Sequence, residues 1–194
     1  MRRAALLCCL VLALTGCGSP LDVGTFGGLP RCASTPDNIS GGLLLMAQSV
    51  PSSPWLPCVR SIPVGWSFSG LDARDGSARF ALGSDREGAQ PLTVLLTASC
   101  TVRGATPTPS ERPGMLRYER VTRLTGGYGG ERYYLYRGGC ITYRFNLQGK
   151  SRAEPVAEIS QALGVLSRDT LRQWVHEHTD GRLELDPSPA AVAR

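Results

Sequence analysis

The sequence has few of the residues from which catalytic and metal sites are usually built. It contains two histidines, His176 and His178, and Lys150 is the one lysine among 21 basic side chains. Because two positions along a helix correspond to about 200° of rotation, these histidines do not share a metal ion as an i, i+4 pair does. No C-x-x-C, G-x-S-x-G, H-E-x-x-H or S-x-x-K motif occurs. These absences exclude the sites that those motifs define, and we predict a protein that is not an enzyme and uses no metal or cofactor.

A long hydrophobic segment is also missing. The apolar run Ala4–Leu14 has eleven residues, whereas a membrane-spanning helix needs about 20. Arg2 and Arg3 precede this run, and it leads into Leu14-Thr15-Gly16-Cys17. Positive charge, a short apolar run and small residues before a cysteine, in this order, resemble the signal peptide and lipobox of bacterial lipoproteins.

The resemblance to bacterial lipoproteins covers residues 1–17 and implies a processing reaction. In that family the chain is cleaved before the cysteine, so residues 1–16 are expected to be the signal peptide and Cys17 the lipid attachment site. A cysteine that carries two or three acyl chains, such as palmitate, holds a protein stably on a membrane. We therefore expect a cell-membrane location, lipid-anchored on the extracytoplasmic face. The alternative is an ordinary secretory signal that happens to contain a cysteine.

Export determines how the remaining cysteines are interpreted. Cys8 and Cys9 lie in the signal segment, and Cys17 is consumed by lipid. An even number of cysteines in an oxidising compartment predicts disulfides, and four of them can pair in three ways. We favour the pairing that attaches the N-terminal segment to the domain and links two predicted strands. The predicted disulfides are Cys32–Cys58 and Cys100–Cys140.

Charge is distributed unevenly along the chain. Residues 103–152 carry ten basic and three acidic side chains, a net charge of +7, whereas residues 17–102 carry −1 and residues 153–194 carry −3. All six tyrosines lie in the same basic segment, and arginine with tyrosine is a common mixture in recognition surfaces. We predict that arginines on strands around the glycine-rich segment 125–130 bind an anion, the alternative being a solvated sheet face with half-buried tyrosines. The predicted anion-binding residues are Arg117, Arg120, Arg132, Arg137 and Arg144.

The spacing of apolar residues changes from strand-like to helical along the chain. Alternation predicts strands over 92–103, 115–124, 131–137 and 140–147, and residues 41–71 suggest short strands and turns. Helical spacing follows from residue 156, with Ser167 as the N-cap of a second helix that ends at Gly181. We predict an α+β fold in which an antiparallel sheet of about five to seven strands is followed by two C-terminal helices packed on the sheet. The expected organisation is a lipidated tether at 17–38, a single domain at 39–186 and a disordered tail at 187–194.

Residues 156–175 resemble a helix-turn-helix DNA-binding unit. Export argues against DNA as a partner, and so do the net charge of −3 over residues 153–194 and an extra residue, Leu166, in the turn. We therefore predict a packed helical hairpin and no nucleic-acid partner. Within it we place His178 on the packed face and His176 in solvent.

These observations together predict a membrane-anchored exported lipoprotein. Its most consistent role is a non-enzymatic cell-envelope binding module with an Arg/Tyr-rich face for an anionic ligand or partner. Its partners would be the membrane, through lipidated Cys17, and an anionic lipid, a wall polymer or an envelope protein. The alternatives are an accessory subunit of an envelope protein complex and an unrecognised hydrolase.

Overall fold

The computed structural model describes residues 28–32, 39–149 and 153–187. Cys17, the predicted signal peptide and the predicted tail beyond residue 187 lie outside the described residues. The elements in chain order are α1 (Gly41–Ser49), β1 (Trp55–Val59), β2 (Trp66–Arg74), β3 (Ser77–Ser84), β4 (Gly88–Thr97), β5 (Thr106–Thr108), β6 (Leu116–Arg123), β7 (Tyr128–Tyr136), β8 (Gly139–Leu147), α2 (Ala153–Ala162), β9 (Leu163–Ser167) and α3 (Arg168–His178).

Seven strands form one antiparallel sheet in the order β2-β3-β4-β8-β7-β6-β5. The predicted hairpin at Asp75-Gly76 joins β2 to β3, where Arg74 pairs with Ser77. Gly76 has a φ of +77°, a conformation that glycine adopts without steric cost. In the centre of the sheet β4 pairs with β8, although about forty residues separate the two strands. The intervening strands β5, β6 and β7 extend the sheet on the far side of β8.

The strands alternate, so the sheet has two chemically different faces. We call one the core face; it presents Leu92, Val94, Leu96, Ile141, Tyr143 and Phe145, all of which are buried. We call the other the outer face; it presents Thr93, Leu95, Glu131, Tyr133, Thr142 and Arg144. The alternation predicted for residues 140–147 is confirmed, because its apolar members lie on the core face and its polar members on the outer face.

A second layer covers the core face. It consists of the three helices and the two-stranded β1-β9 sheet, and its apolar residues share one hydrophobic cluster with the core face. Residues 28–32, assigned above to the tether, lie beside β1 in this layer, where Cys32 N–H donates to the Val59 carbonyl at 2.9 Å. Their close approach to α1 requires a glycine, because a Cβ at Gly42 would lie 2.2 Å from the Gly28 carbonyl oxygen.

The predicted α+β class and the two C-terminal helices are confirmed, but four local predictions are wrong. Residues 41–49 form α1 rather than strands and turns, because this apolar segment is buried between the sheet and residues 28–30 and so shows no periodicity. β4 ends at Thr97 rather than at residue 103, since β3 and β8 both stop there. The predicted loop 104–114 contains β5. Strand β9 replaces the turn of the helical hairpin, because its backbone pairs with β1.

Each of the two layers contains one disulfide. Cys32 bonds to Cys58 in the covering layer, and Cys100 bonds to Cys140 on the outer face. This is the pairing that we favour from the sequence. Cys100 follows the end of β4, so it does not share the buried face of Val94 and Leu96, as the longer predicted strand implied.

Candidate anion-binding surface

Strand alternation divides the five arginines that the sequence singles out. Arg117 and Arg132 lie on the core face, in register with Tyr134 and Tyr143. Arg120 and Arg144 lie on the outer face, each opposite Glu131. Arg137 is exposed in the turn between β7 and β8, at the opposite end of the sheet from the β6–β7 hairpin tip. The five side chains therefore do not form one surface.

On the core face, one carboxylate bridges two arginines. Glu119 Oε1 accepts from Arg132 Nε at 2.6 Å and from Arg117 Nε at 3.1 Å. Burial raises the pKa of the Glu119 carboxyl, but the hydrogen bonds from Arg117 and Arg132 outweigh burial and leave the pKa below its ordinary value. Arg132 also donates to Ser160 Oγ of α2 at 3.0 Å. These arginines therefore tie β6 and β7 to the helix layer and have little capacity left for a ligand.

A further arginine, which the sequence analysis missed, completes the core-face network. The Arg112 guanidinium lies 4.8 Å from the centre of the Tyr134 ring and donates from Nη2 to Tyr143 Oη at 3.0 Å. Its neighbour Glu111 accepts from Arg117 Nη1 at 2.8 Å. Both residues come from a proline-flanked loop, and no periodic pattern indicated that this loop folds back over the sheet.

The outer face repeats the same motif in a more open environment. Glu131 bridges Arg120 and Arg144, whose Nε atoms lie 3.0 Å and 3.1 Å from its carboxylate oxygens, and it also accepts from Tyr133 Oη. Burial raises the pKa of Glu131, but hydrogen bonds from Tyr133 and Arg120 leave it below its ordinary value. Burial and the bond to Glu131 raise the pKa of Tyr133 to about 12, so this phenol remains a donor at neutral pH.

The connection from β4 to β5 crosses part of the outer face. It passes over β8, where Cys100 is bonded to Cys140, and over β6, where Arg120 Nη1 donates to the Arg103 carbonyl at 3.0 Å. No helix of the described residues covers the rest of this face, because all three belong to the core-face cluster. The uncovered part includes the end of the sheet at the β6–β7 hairpin.

An open groove lies at that end. It has a volume of about 340 Å³ and lies between the ends of β6, β7 and β8. A register shift between Val121 and Arg123 brings Arg123 to the outer face, where its Nη2 donates to Asn146 Oδ1 at 2.8 Å. Arg123 belongs to the basic segment identified from the sequence, but it was not among the five predicted anion-binding residues. Simple alternation would assign it to the face of Arg117, and the register shift moves it to the other. The groove is lined by Thr122, Arg123, Gly129, Gly130, Glu131, Arg144, Phe145 and Asn146.

The C-terminal segment that resembles a helix-turn-helix is integrated into the core. Arg168, which would open the recognition helix, is 2% exposed and donates to the main-chain carbonyls of Ser53, Ala47, Val50 and Asp186. Ser167 caps α3 as predicted, accepting from Thr170 N–H at 3.0 Å. The segment therefore has a structural role, and Arg168 is bonded to main-chain carbonyls instead of being free to contact a ligand.

Neither histidine lines the groove. His176 is exposed and lies 3.5 Å from Glu184. His178, predicted to pack, is also exposed, because Leu171 and Val175 define the buried face of α3. Within the described ranges there is no group of three His, Cys, Asp or Glu side chains placed to hold a metal ion. None of the helices described is long and apolar enough to cross a membrane.

Comparisons with known proteins give little further information. No protein-family model and no curated protein matches the chain. Among solved structures, a crystal structure of a protein from Bacteroides thetaiotaomicron is similar at 12% identity with a TM-score of 0.30, over 61% of this chain and 48% of that one. The chain thus spans about half the length of that protein. At this TM-score the likeness carries no argument, so the surface is interpreted from its own residues.

Proposed function

We propose that this protein is an exported lipoprotein, anchored through Cys17 to the extracytoplasmic face of the cell membrane, and that it is a non-enzymatic binding module for an anionic partner. The observation that carries the proposal is the charge of the uncovered outer face. Five arginines lie there with two carboxylates. The arginines are Arg74, Arg79, Arg120, Arg123 and Arg144, and the carboxylates are those of Asp72 and Glu131.

The outer face favours binding because part of its charge is not satisfied internally. Arg144 uses Nε for Glu131, and Arg123 uses Nη2 for Asn146 and the Leu147 carbonyl. Their other guanidinium N–H groups have no hydrogen-bond partner among the described residues. Phosphate and carboxylate groups accept charge-assisted hydrogen bonds from such donors.

The position of the N-terminal segment is compatible with an anchor. Residues 28–32 enter the domain beside β1, in the layer that covers the core face. A lipid at Cys17 would therefore attach to the protein on the side opposite the outer face, and the outer face stays free for a partner.

Metabolic labelling tests the anchor. Cells that express the full chain are given an alkyne analogue of palmitate, and the protein is isolated and tagged. We expect the wild-type chain to incorporate the label and to stay with the membrane fraction. A Cys17→Ala variant should lose the label. Equal labelling of both chains would contradict lipidation at Cys17.

Binding to a polyanion tests the outer face. The chain from residue 18 to residue 194 keeps every residue that the structure describes, and its binding to inorganic polyphosphate can be measured by anisotropy. Between about 0.1 M and about 1 M salt the screening length falls from ~10 Å to ~3 Å, so binding through exposed arginines should weaken strongly. Binding that is insensitive to salt, or no binding, would overturn the electrostatic proposal.

A further inference from the structure

The tip of the β6–β7 hairpin combines positive charge with exposed apolar side chains. No carboxylate occurs between Glu119 and Glu131, and the charged residues in that interval are Arg120 and Arg123. Leu124, which follows the last residue of β6, is 54% exposed, and so is Val121 on the core face of β6 just before the tip. The tip is therefore an apolar projection whose base is lined by arginines.

This combination matches the chemistry of a bilayer interface. Apolar side chains gain free energy by entering the acyl region, while guanidinium groups at their base stay at the level of the phosphates. Arg123 and Arg144 both line the groove, and Leu124 directly follows Arg123 in the chain. A phosphodiester headgroup lying in this groove would accept from both guanidinium groups while the hairpin tip meets the acyl chains.

Of the acidic side chains at the same end of the sheet, Asp85 is exposed in the β3–β4 turn, where its main-chain N–H donates to the Gly65 carbonyl, and three others line a pocket separate from the groove. Glu87, Glu154 and Glu158 line a separate pocket with Trp66 between the β3–β4 turn and α2. Glu87 is largely buried and accepts from the Gly149 N–H at 2.8 Å. Glu131 is the carboxylate nearest to the groove, and Arg120 and Arg144 together outweigh its charge.

The chain between Cys17 and Gly28 is long enough for the tip to reach the membrane that holds the anchor. Eleven peptide steps span at most about 40 Å. A domain of this size has a radius of gyration of ~15 Å, so its diameter is no greater than that reach. Residues 28–32 lie in the layer on the core face and the tip lies at one end of the sheet, so the tether does not have to pass round the whole domain for the hairpin to meet the same surface.

We infer that the β6–β7 hairpin docks on an anionic lipid bilayer, with Leu124 at its tip entering the interface and Arg123 and Arg144 binding headgroup phosphates. The inference rests on the proposed function and specifies its partner. The domain would then lie on the membrane in a fixed orientation instead of hanging from its lipid.

Vesicle co-sedimentation of residues 18–194 tests the inference. The vesicles contain phosphatidylglycerol and phosphatidylcholine in equal parts, or phosphatidylcholine alone. Near an anionic surface each basic side chain contributes about 1 kcal/mol, a factor of about five, so Arg123→Gln with Arg144→Gln should weaken binding to the anionic vesicles about 25-fold. Leu124→Ser should weaken it about tenfold through lost apolar contact, with the same salt dependence as the wild type.

Matched variants separate the hairpin from general charge and general apolar exposure. Arg60→Gln with Arg182→Gln removes the same charge from two exposed arginines that lie outside the large sheet. Val64→Ser removes an apolar side chain that is 90% exposed and lies outside the hairpin. Both controls should bind anionic vesicles within about twofold of the wild type, since neither touches the tip, and circular dichroism should show that all variants fold alike.

The possible outcomes distinguish the inference from the function on which it rests. If the Arg60/Arg182 control weakens binding as much as the Arg123/Arg144 variant, the hairpin is not the docking site. If the chain binds polyphosphate but not anionic vesicles, the bilayer inference fails and the anionic-partner proposal stands. If it binds neither, both are overturned.

Discussion

The two faces of the large sheet use the same chemical unit in different surroundings. On each face a single glutamate bridges two arginines from different strands: Glu119 on the core face and Glu131 on the outer face. The core-face arginines, Arg117 and Arg132, are 18% and 13% exposed, whereas Arg120 and Arg144 on the outer face are 37% and 56% exposed. The motif is alike on both faces, but its arginines are more exposed on the outer face, whereas the bridging carboxylate is less exposed there, 15% for Glu131 against 35% for Glu119.

This difference shows why a charge count along the chain does not identify a binding surface. A desolvated guanidinium needs its carboxylate, because a buried unpaired charge is strongly unfavourable. A solvated guanidinium exchanges its carboxylate for another anion at little cost, because exposed ion pairs contribute about 0–1 kcal/mol. The core-face arginines therefore belong to the stability of the fold, and the outer-face arginines are available for binding.

Replacement of Arg168, which is 2% exposed, should have the largest effect on the free energy of unfolding. Arg168→Met removes the donors of four carbonyls, and because each buried acceptor left unsatisfied costs about 1–3 kcal/mol, we expect the free energy of unfolding to fall by at least ~3 kcal/mol. Urea unfolding measures this change. Arg172→Met, one turn further along α3 and partly exposed, is the control and should cost less than ~1 kcal/mol. Equal losses would show that burial does not separate the two arginines.

Glu119→Gln should have an intermediate and pH-dependent effect. At pH 6 we expect a loss of about 2 kcal/mol, moderated because about a third of the carboxylate is exposed. The folded-state pKa of Glu119 lies below its ordinary value of 4.5, so its contribution is present above pH 4.5 and disappears as the pH falls through the folded-state pKa. The difference between wild type and variant should therefore shrink below pH 4.5 in urea unfolding. A difference that stays constant down to pH 2 would contradict this assignment.

Glu131→Gln should have the smallest effect on stability and a gain in binding. Arg120 and Arg144 are 37% and 56% exposed, and the amide oxygen of glutamine still accepts from the buried Tyr133, so we expect a loss of about 0.5 kcal/mol in the free energy of unfolding. Removal of the carboxylate leaves the charges of Arg120 and Arg144 uncompensated, and affinity for anionic vesicles should rise about fivefold. Co-sedimentation of this variant beside Glu119→Gln sharpens the comparison, because the core-face variant should leave vesicle binding unchanged.

The sequence predicted the fold class well because its strongest signals are periodic. The alternation of Ile141, Tyr143 and Phe145 and the capping residue Ser167 are local properties that the structure retains. Strand β9 was missed because Leu163 and Leu166 also fit a helical period, and only their pairing with β1, about a hundred residues away, makes them a strand.

The face of the sheet on which each arginine lies could not be predicted from the sequence, for a similar reason. The face on which a strand residue lies depends on register, and the register shift at Val121 places Arg123 on the outer face. The fold of the loop around Arg112 depends on tertiary contacts with Tyr134 and Tyr143. The sequence identified the basic segment, but the faces on which its side chains lie required the sheet.

The Cys100–Cys140 disulfide has a consequence for the order in which the chain folds. Thr97 of β4 pairs with Cys140 of β8, so this disulfide closes nearly the same 40-residue loop as the central strand pairing of the sheet. Once the bond has formed, the loop-closure entropy of that pairing is already spent. A distant contact then behaves kinetically as a local one, and low contact order favours fast folding. Oxidation of Cys100 and Cys140 would thus precede and speed the pairing of β4 with β8, which joins the two halves of the sheet.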